Sequence, residues 1–213
     1  MKKLILIIIA IFGMINISSA QDSENDFREK LQFGVKLGAN YSNVFDTKGE
    51  DFVADPKFGF VFGGFVAIPI GKYIGIQPEL LFSQKGFKAT GMLLGSTYEL
   101  KRTTTYIDVP ILFALKPIEY LTLLAGPQYS YLIKQTDAFA NTTTSILQEQ
   151  TFENDNIRRN TFGFIFGADL NYSNLVIGGR VGWDILNNNG DGTSTTPRYK
   201  NVWYQFTLGY RFF

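Results

Sequence analysis

The chain has 213 residues, with 20 Lys and Arg against 19 Asp and Glu, 20 Phe, 11 Tyr and 21 Gly, and with neither His nor Cys. The near-neutral charge removes the electrostatic basis for nucleic-acid binding, and the missing cysteine removes disulfides and any thiol for a lipid anchor. Without histidine the usual general base, the commonest transition-metal ligand and every Ser-His or Cys-His nucleophile pair are gone, so the composition argues against an enzyme and for no cofactor.

Residues 1–20 read as a leader: Lys2 and Lys3, then the apolar run "LILIIIAIFGMI", then a small-x-small site at Ser18 and Ala20. The apolar run is too short to cross a bilayer as a helix, which disfavours the competing reading, an N-terminal membrane anchor. A cleaved signal peptide places the mature start at Gln21. Removal of the two lysines takes the basic count from 20 to 18 against 19 acids. Residues 21–31 are then a short periplasmic lead.

From residue 32 onward apolar and polar residues alternate with a period of two, the signature of a strand with two chemically different faces. The first strand, about 32–41, sets Val35, Leu37, Ala39 and Tyr41 against Lys36, Gly38 and Asn40. The second, "FGFVFGGFVAI", sets Phe58, Phe60, Phe62, Val66 and Ile68 against small residues, with Phe65 on the small face. In the third, "YIGIQPELLFSQKGFK" at 73–88, Ile74, Ile76, Leu80 and Phe82 oppose Gln77, Glu79 and Lys85. The fourth, about 105–115, carries Asp108 on its polar side; the fifth opposes Leu121, Leu123, Tyr129 and Tyr131 to Thr122, Gln128 and Ser130. "FGFIFGADL" nearly repeats the second strand. The seventh sets Ile177, Val181, Trp183 and Ile185 against Arg180 and Asp184, and "VWYQFTLGYRFF" closes the chain.

The connectors alternate in length. "PIGK", "KPIEY" and "YSN" are tight, whereas 42–57, 86–104, 134–160 and 187–201 are long and polar. Short periplasmic turns and long external loops are the habit of an outer-membrane barrel, and only a closed barrel leaves no unpaired strand edge in lipid. The expected fold is all-β, an eight-stranded antiparallel up-and-down transmembrane β-barrel over residues 32–213. A soluble lipocalin-like barrel is the rival. Bulk decides between them: the face bearing Phe, Tyr, Trp, Ile and Leu is too large for a narrow eight-stranded interior, so it faces outward. Pro78, Pro110 and Pro127 sit inside strands, where proline is normally confined to edges and bulges. The "KPIEY" turn brings Pro110 and Pro127 nearly opposite each other, which predicts a shared bulge.

The segments "IQPELLFSQKG", "YIDVPILFAL", "LLAGPQYSYL", "FGFIFGADL" and "LGYRFF" resemble the strand motifs of the PorT-like outer-membrane β-barrel family of diderm bacteria, over nearly the whole mature chain. The resemblance implies residence in the cell outer membrane and contact with its lipid. No motif is tied to the secretion and gliding activity associated with the family's founding member. The ending "YRFF" is similar to the signal read by the barrel-insertion machinery, with Leu208, Tyr210, Phe212 and Phe213 as its residues. Alternation points Phe212 to lipid and Phe213 inward, a departure from the usual outward terminal aromatic.

Inside the barrel, charges must find partners or neutralise. Lys36, Glu79, Asp108, Arg180 and Asp184, with Lys85 on the same face, are expected to form an interior ion network. A catalytic Glu79 and Asp108 pair of the glycosidase type is the sharper alternative, disfavoured because a filled barrel has no cleft for a sugar. "NNNGDGTSTTPR" imitates a calcium loop, but Arg198 stands where the bidentate Glu belongs. Asp169 and Arg211 read as a solvated periplasmic rim. Tyr73, Tyr120, Tyr172, Trp203 and Tyr210 read as interfacial girdle, although the parity of Trp203 points inward. The expected protein is monomeric, displaying loops for binding or envelope structure, with residues 134–160 the expected contact for an envelope partner. A component of a secretion or envelope complex and a narrow channel are the alternatives.

Overall fold

The computed structural model describes residues 27–46, 53–93, 96–141, 145–150, 158–188 and 199–212. The leader, the Gln21 start, residues 189–198 of the imitation calcium loop and Phe213 lie outside them. Among the described residues nine strands follow one 3-10 turn at Phe27–Glu29: β1 (Gln32–Asp46), β2 (Val53–Pro69), β3 (Ile74–Leu93), β4 (Ser96–Ile118), β5 (Leu121–Asn141), β6 (Ser145–Gln150), β7 (Asn160–Tyr172), β8 (Leu175–Asp184) and β9 (Tyr199–Phe212). All pairings are antiparallel. Each strand hydrogen-bonds to its neighbour in sequence, except that β5 rather than β6 pairs with β7, and β1 meets β9 to close the ring. Eight strands make the barrel, and β6 pairs with β5 above it.

The ring is inside-out relative to a soluble protein. Phe58 is 70% exposed, Phe206 67% and Leu37 65%, while Asn40 and Asp108 are fully buried. The bulky alternating face therefore meets lipid, and the small and polar face fills the lumen. Two interior glycines make that filling feasible. A Cβ at Gly182 would overlap the Trp203 ring, and one at Gly34 would overlap the Phe65 ring. Each large side chain lies over a glycine backbone, the close approach only a residue without a side chain allows.

Three expectations need correction. Much of what reads as external loop is strand. β3 and β4 stay paired out to Leu93 and Ser96, β4 and β5 to Tyr98 and Asn141, and β5 and β6 form a further hairpin. Above the lipid the outer face meets water while the inner face stays buried at Thr104 and Tyr106, so the outward positions of "KRTTTY" lose their apolar residues and the alternation that marks a strand fades although the ladder continues. The expected shared bulge at Pro110 and Pro127 is absent. Pro110 pairs with Gln128 and Phe113 with Ala125 in one register, and the shifts fall at Thr105/Tyr106 and Leu115/Ile118. Pro110 points inward and Pro127 outward. Each forfeits its own ladder bond without an extra residue being inserted, and an inserted residue is what a bulge requires. Finally, Trp203 belongs to the core, packed with Leu112, Ala114, Leu124 and Ile165, and not to an interfacial girdle.

Candidate functional site

The lumen holds two charged clusters joined by polar side chains. In the first, Arg180 of β8 grips Glu79 of β3 with both guanidinium arms: Nη1 donates to Oε2 at 2.7 Å and Nη2 to Oε1 at 2.9 Å. Lys36 Nζ of β1 donates to the same Oε1 at 2.8 Å, as does Gln77 Nε2 at 2.8 Å. Asp169 of β7 completes the cluster with its Oδ2 at 3.3 Å from Arg180 Nη2. Two cations and two anions balance, and every side chain involved is almost fully buried. Lys36 also stands 4.6 Å from the centre of the Phe65 ring. A bidentate Arg–carboxylate pair inside a low-dielectric lumen is the geometry in which attraction offsets desolvation best.

The second cluster lies closer to the external end. Lys85 Nζ is 3.0 Å from Asp108 Oδ2, and it sits 3.7 Å from the Trp203 ring centre and 5.0 Å from that of Tyr106. Asp184 accepts from the backbone N–H and side-chain amide of Asn201. Between the clusters Gln205 donates to Asn40 at 3.0 Å, and Asn40 donates to Ser83 at 2.9 Å. The five charges expected to form one network are thus divided. Lys36, Glu79 and Arg180 meet directly, while Asp108 pairs with Lys85 and Asp184 with Asn201. Asp169, expected at a solvated rim, is instead a full member of the first cluster. Its parity along β7 already put it on the small face; the error lay in judging its depth from its distance to the turn. Arg211 is half-buried and donates to Gln32 at 2.8 Å and to the Ser173 carbonyl at 2.8 Å.

The periplasmic mouth is closed by the lead. Gln32 donates to the Phe27 carbonyl and Lys116 to that of Arg28 at 2.9 Å, while the Arg211 guanidinium lies 5.5 Å from the Phe27 ring centre. Beneath the turn is a space of about 20 Å³ bordered by Phe27, Gln77, Lys116, Asp169 and Arg211. That is room for a water, not for a substrate. Above the membrane Arg102 and Asp137 pair through two bonds of 2.8 and 2.7 Å, beside a small cluster of Phe87, Ala89 and Tyr199. The sequence reading missed this pair because it placed both residues in or next to loops. Among the described residues no group of His, Cys, Asp and Glu is arranged to hold a metal ion. At the other end of the last strand, Leu208, Tyr210 and Phe212 all face outward to lipid.

The profile of the outer membrane protein beta-barrel domain family matches residues 19–189. The chain belongs to that family. Membership places it in the bacterial outer membrane, as its lipid-facing aromatic surface requires. Among solved structures, a major outer membrane protein of Thermus thermophilus superposes with a TM-score of 0.54 at 14% identity, covering 86% of this chain and 100% of the other. Neisserial surface protein A gives 0.49 at 10% identity over 86% and 100% of the two chains. Ail, the attachment invasion locus protein of Yersinia pestis, gives 0.47 at 14% over 85% and 98%. At these identities the likeness concerns the fold. No curated protein matches the sequence.

Proposed function

We propose that this family member is a non-enzymatic, non-conducting, monomeric scaffold that carries extracellular strands above the membrane and displays its loops for binding a partner. The observation that carries the reading is the lumen, which is crossed by the Arg180–Glu79 clamp and, farther out, by Trp203 packed on Leu112, Leu124 and Ile165. An interior of eight strands has room for little beyond its own side chains, and here they are large. Its carboxylates are engaged by Arg180, Lys36, Lys85 and Asn201, so none is left in a cleft for acid–base work. The region that remains for function is external: the paired extensions of β3, β4, β5 and β6, and residues 134–160 around them.

The length of the external β4–β5 and β5–β6 ladders leaves room for a second reading, an integral component of an envelope or secretion complex that uses the same external surface. Mild crosslinking in native membranes followed by purification separates the two: a stoichiometric envelope protein bound through residues 134–160 supports the complex. For the scaffold reading the test is planar-bilayer recording on the refolded protein. The expected result is no stable single-channel step. Reproducible conductance would replace the scaffold with a channel.

A further inference from the structure

The turn Phe27–Glu29 is attached to the barrel from several places at once. Gln32 at the start of β1 donates to the Phe27 carbonyl, Lys116 near the end of β4 donates to the Arg28 carbonyl at 2.9 Å, and the Arg211 guanidinium of β9 lies 5.5 Å from the Phe27 ring centre. The Arg28 guanidinium stands 5.6 Å from the ring centre of Tyr73, the residue just before β3. β4 and β9 are not neighbours in the ring, so the whole set of contacts exists only once β1 and β9 have closed it.

The turn itself is weakly held. None of its residues is fully buried, and its backbone bond from the Lys30 N–H to the Phe27 carbonyl is 3.4 Å long. The strands around it are paired almost to their ends, β9 with β1 through Phe212 and β5 with β7 from Leu121. No ladder bond depends on the turn. Elements with little buried surface and few bonds open at far lower cost than the sheet they cover.

Beneath the turn, the space of about 20 Å³ reaches Gln77 and Asp169. Gln77 donates to Glu79 Oε1 at 2.8 Å, and Asp169 Oδ2 is 3.3 Å from Arg180 Nη2, so one layer of side chains separates the space from the clamp. The Nε–H groups of Arg180 and Arg211 are buried and have no acceptor. Buried donors of this kind take up water wherever it can reach them. On the far side of the clamp the way is shut by Trp203 packed on Leu112, Leu124 and Ile165.

We propose that the Phe27 turn is a lid that opens on an intact barrel and admits periplasmic water to the Arg180–Glu79–Asp169 cluster, while the Trp203 layer keeps the external side shut. The lumen is then a blind chamber, and the clamp at its end gains and loses solvent as the lid moves. Charges in contact with water attract each other less than in a dry interior. Lid position therefore sets the strength of the tie between β3 and β8. This inference does not depend on the loop-display reading.

Because the chain has no cysteine, single introduced cysteines report on water access. Thr122→Cys borders the space under the lid, and Ser130→Cys lies level with Asp108, beyond the clamp. Each is refolded in detergent in the full mature chain and treated with a small water-soluble thiosulfonate. Thr122→Cys is expected to react while the protein keeps its heat-modifiable migration on gels, and Ser130→Cys only after that migration is lost. Deleting residues 21–30 removes the lid with its two side-chain bonds and should speed the reaction of Thr122→Cys by about tenfold or more, leaving Ser130→Cys protected. If that chain does not fold, Phe27→Ala is used in its place. Reaction of Thr122→Cys only on loss of the folded band would overturn the lid, since the turn would then belong to the barrel's cooperative unit. So would an unchanged rate in the folded lidless variant. Reaction of Ser130→Cys in that folded variant would overturn the blind chamber.

Discussion

Arg180 and Glu79 are separated by 101 residues of sequence and meet in two parallel hydrogen bonds across the barrel lumen. The pair ties β8 to β3, which are not neighbours in the ring, so it reports on closure of the whole barrel. Glu79→Ala would leave Arg180 and Lys36 facing each other with only Asp169 as counter-charge. The expected cost is about 3 to 5 kcal/mol. Arg180→Ala strands Glu79 with Lys36 alone and should cost a similar amount. The double variant should cost less than the sum, because it removes the cation and the anion together. A double-mutant cycle on detergent-refolded protein measures this, and strict additivity would mean that the contact contributes no coupling.

Lys85 supplies the only ammonium or guanidinium in direct contact with Asp108 among the described residues, and the Trp203 and Tyr106 rings surround it. Lys85→Met preserves the stem but leaves the Asp108 carboxylate buried beside aromatic carbon. The expected loss is on the order of 3 kcal/mol. Adding Asp108→Asn should restore most of it by removing the stranded charge. Urea unfolding followed by tryptophan fluorescence is a direct readout, since Trp203 lies against the altered group. If Asp108→Asn deepened the loss, ion pairing would not be what Lys85 contributes.

The lipid-spanning part of this fold is legible in the sequence because a narrow packed lumen and the surrounding lipid write opposite instructions on alternate residues. Phe58, Phe60 and Phe62 against Gly59, Val61 and Gly63 carry strand identity and facing at once. That contrast ends where the bilayer ends, so the outward runs of β3 and β4 look like loop while their ladder persists to Leu93 and Ser96. The interior was legible by face and not by height. Parity put Lys36, Glu79, Lys85, Asp108, Arg180 and Asp184 inside, but which of them meet depends on the stagger around the ring, and one strand read alone does not contain it. Trp203 shows the opposite case: its inward parity was the correct guide, and the general habit of tryptophan at interfaces was not.

Maturation is expected at the bond after Ala20, giving a chain that begins at Gln21. The Ser-x-Ala site follows an apolar run of signal-peptide length. Such a start leaves six residues ahead of Phe27, whose turn then covers the periplasmic mouth. Intact-mass measurement of protein extracted from outer membranes tests this, and a mass that still includes residues 1–20 would show an uncleaved leader.

The β5–β6 hairpin should be removable without loss of the barrel. The ring-forming pairs of β5 with β7 run from Leu121 to Tyr131, and all of them lie below the segment that carries β6. Deleting residues 138–156 removes β6 and the tip of β5, yet it keeps Asp137 to pair with Arg102 and keeps every residue of the two luminal clusters. What is lost is the outermost ladder of β4, from Tyr98 to Lys101, whose backbone is able to pair with water instead. The stability cost should therefore be small, within about 1 kcal/mol, as for a surface change away from the core. The shortened protein should still migrate differently on gels before and after boiling. It should also lose any binding that the full chain shows to intact envelopes or purified partners. Collapse of heat-modifiability on deletion would show instead that the external sheet is part of the barrel's cooperative unit.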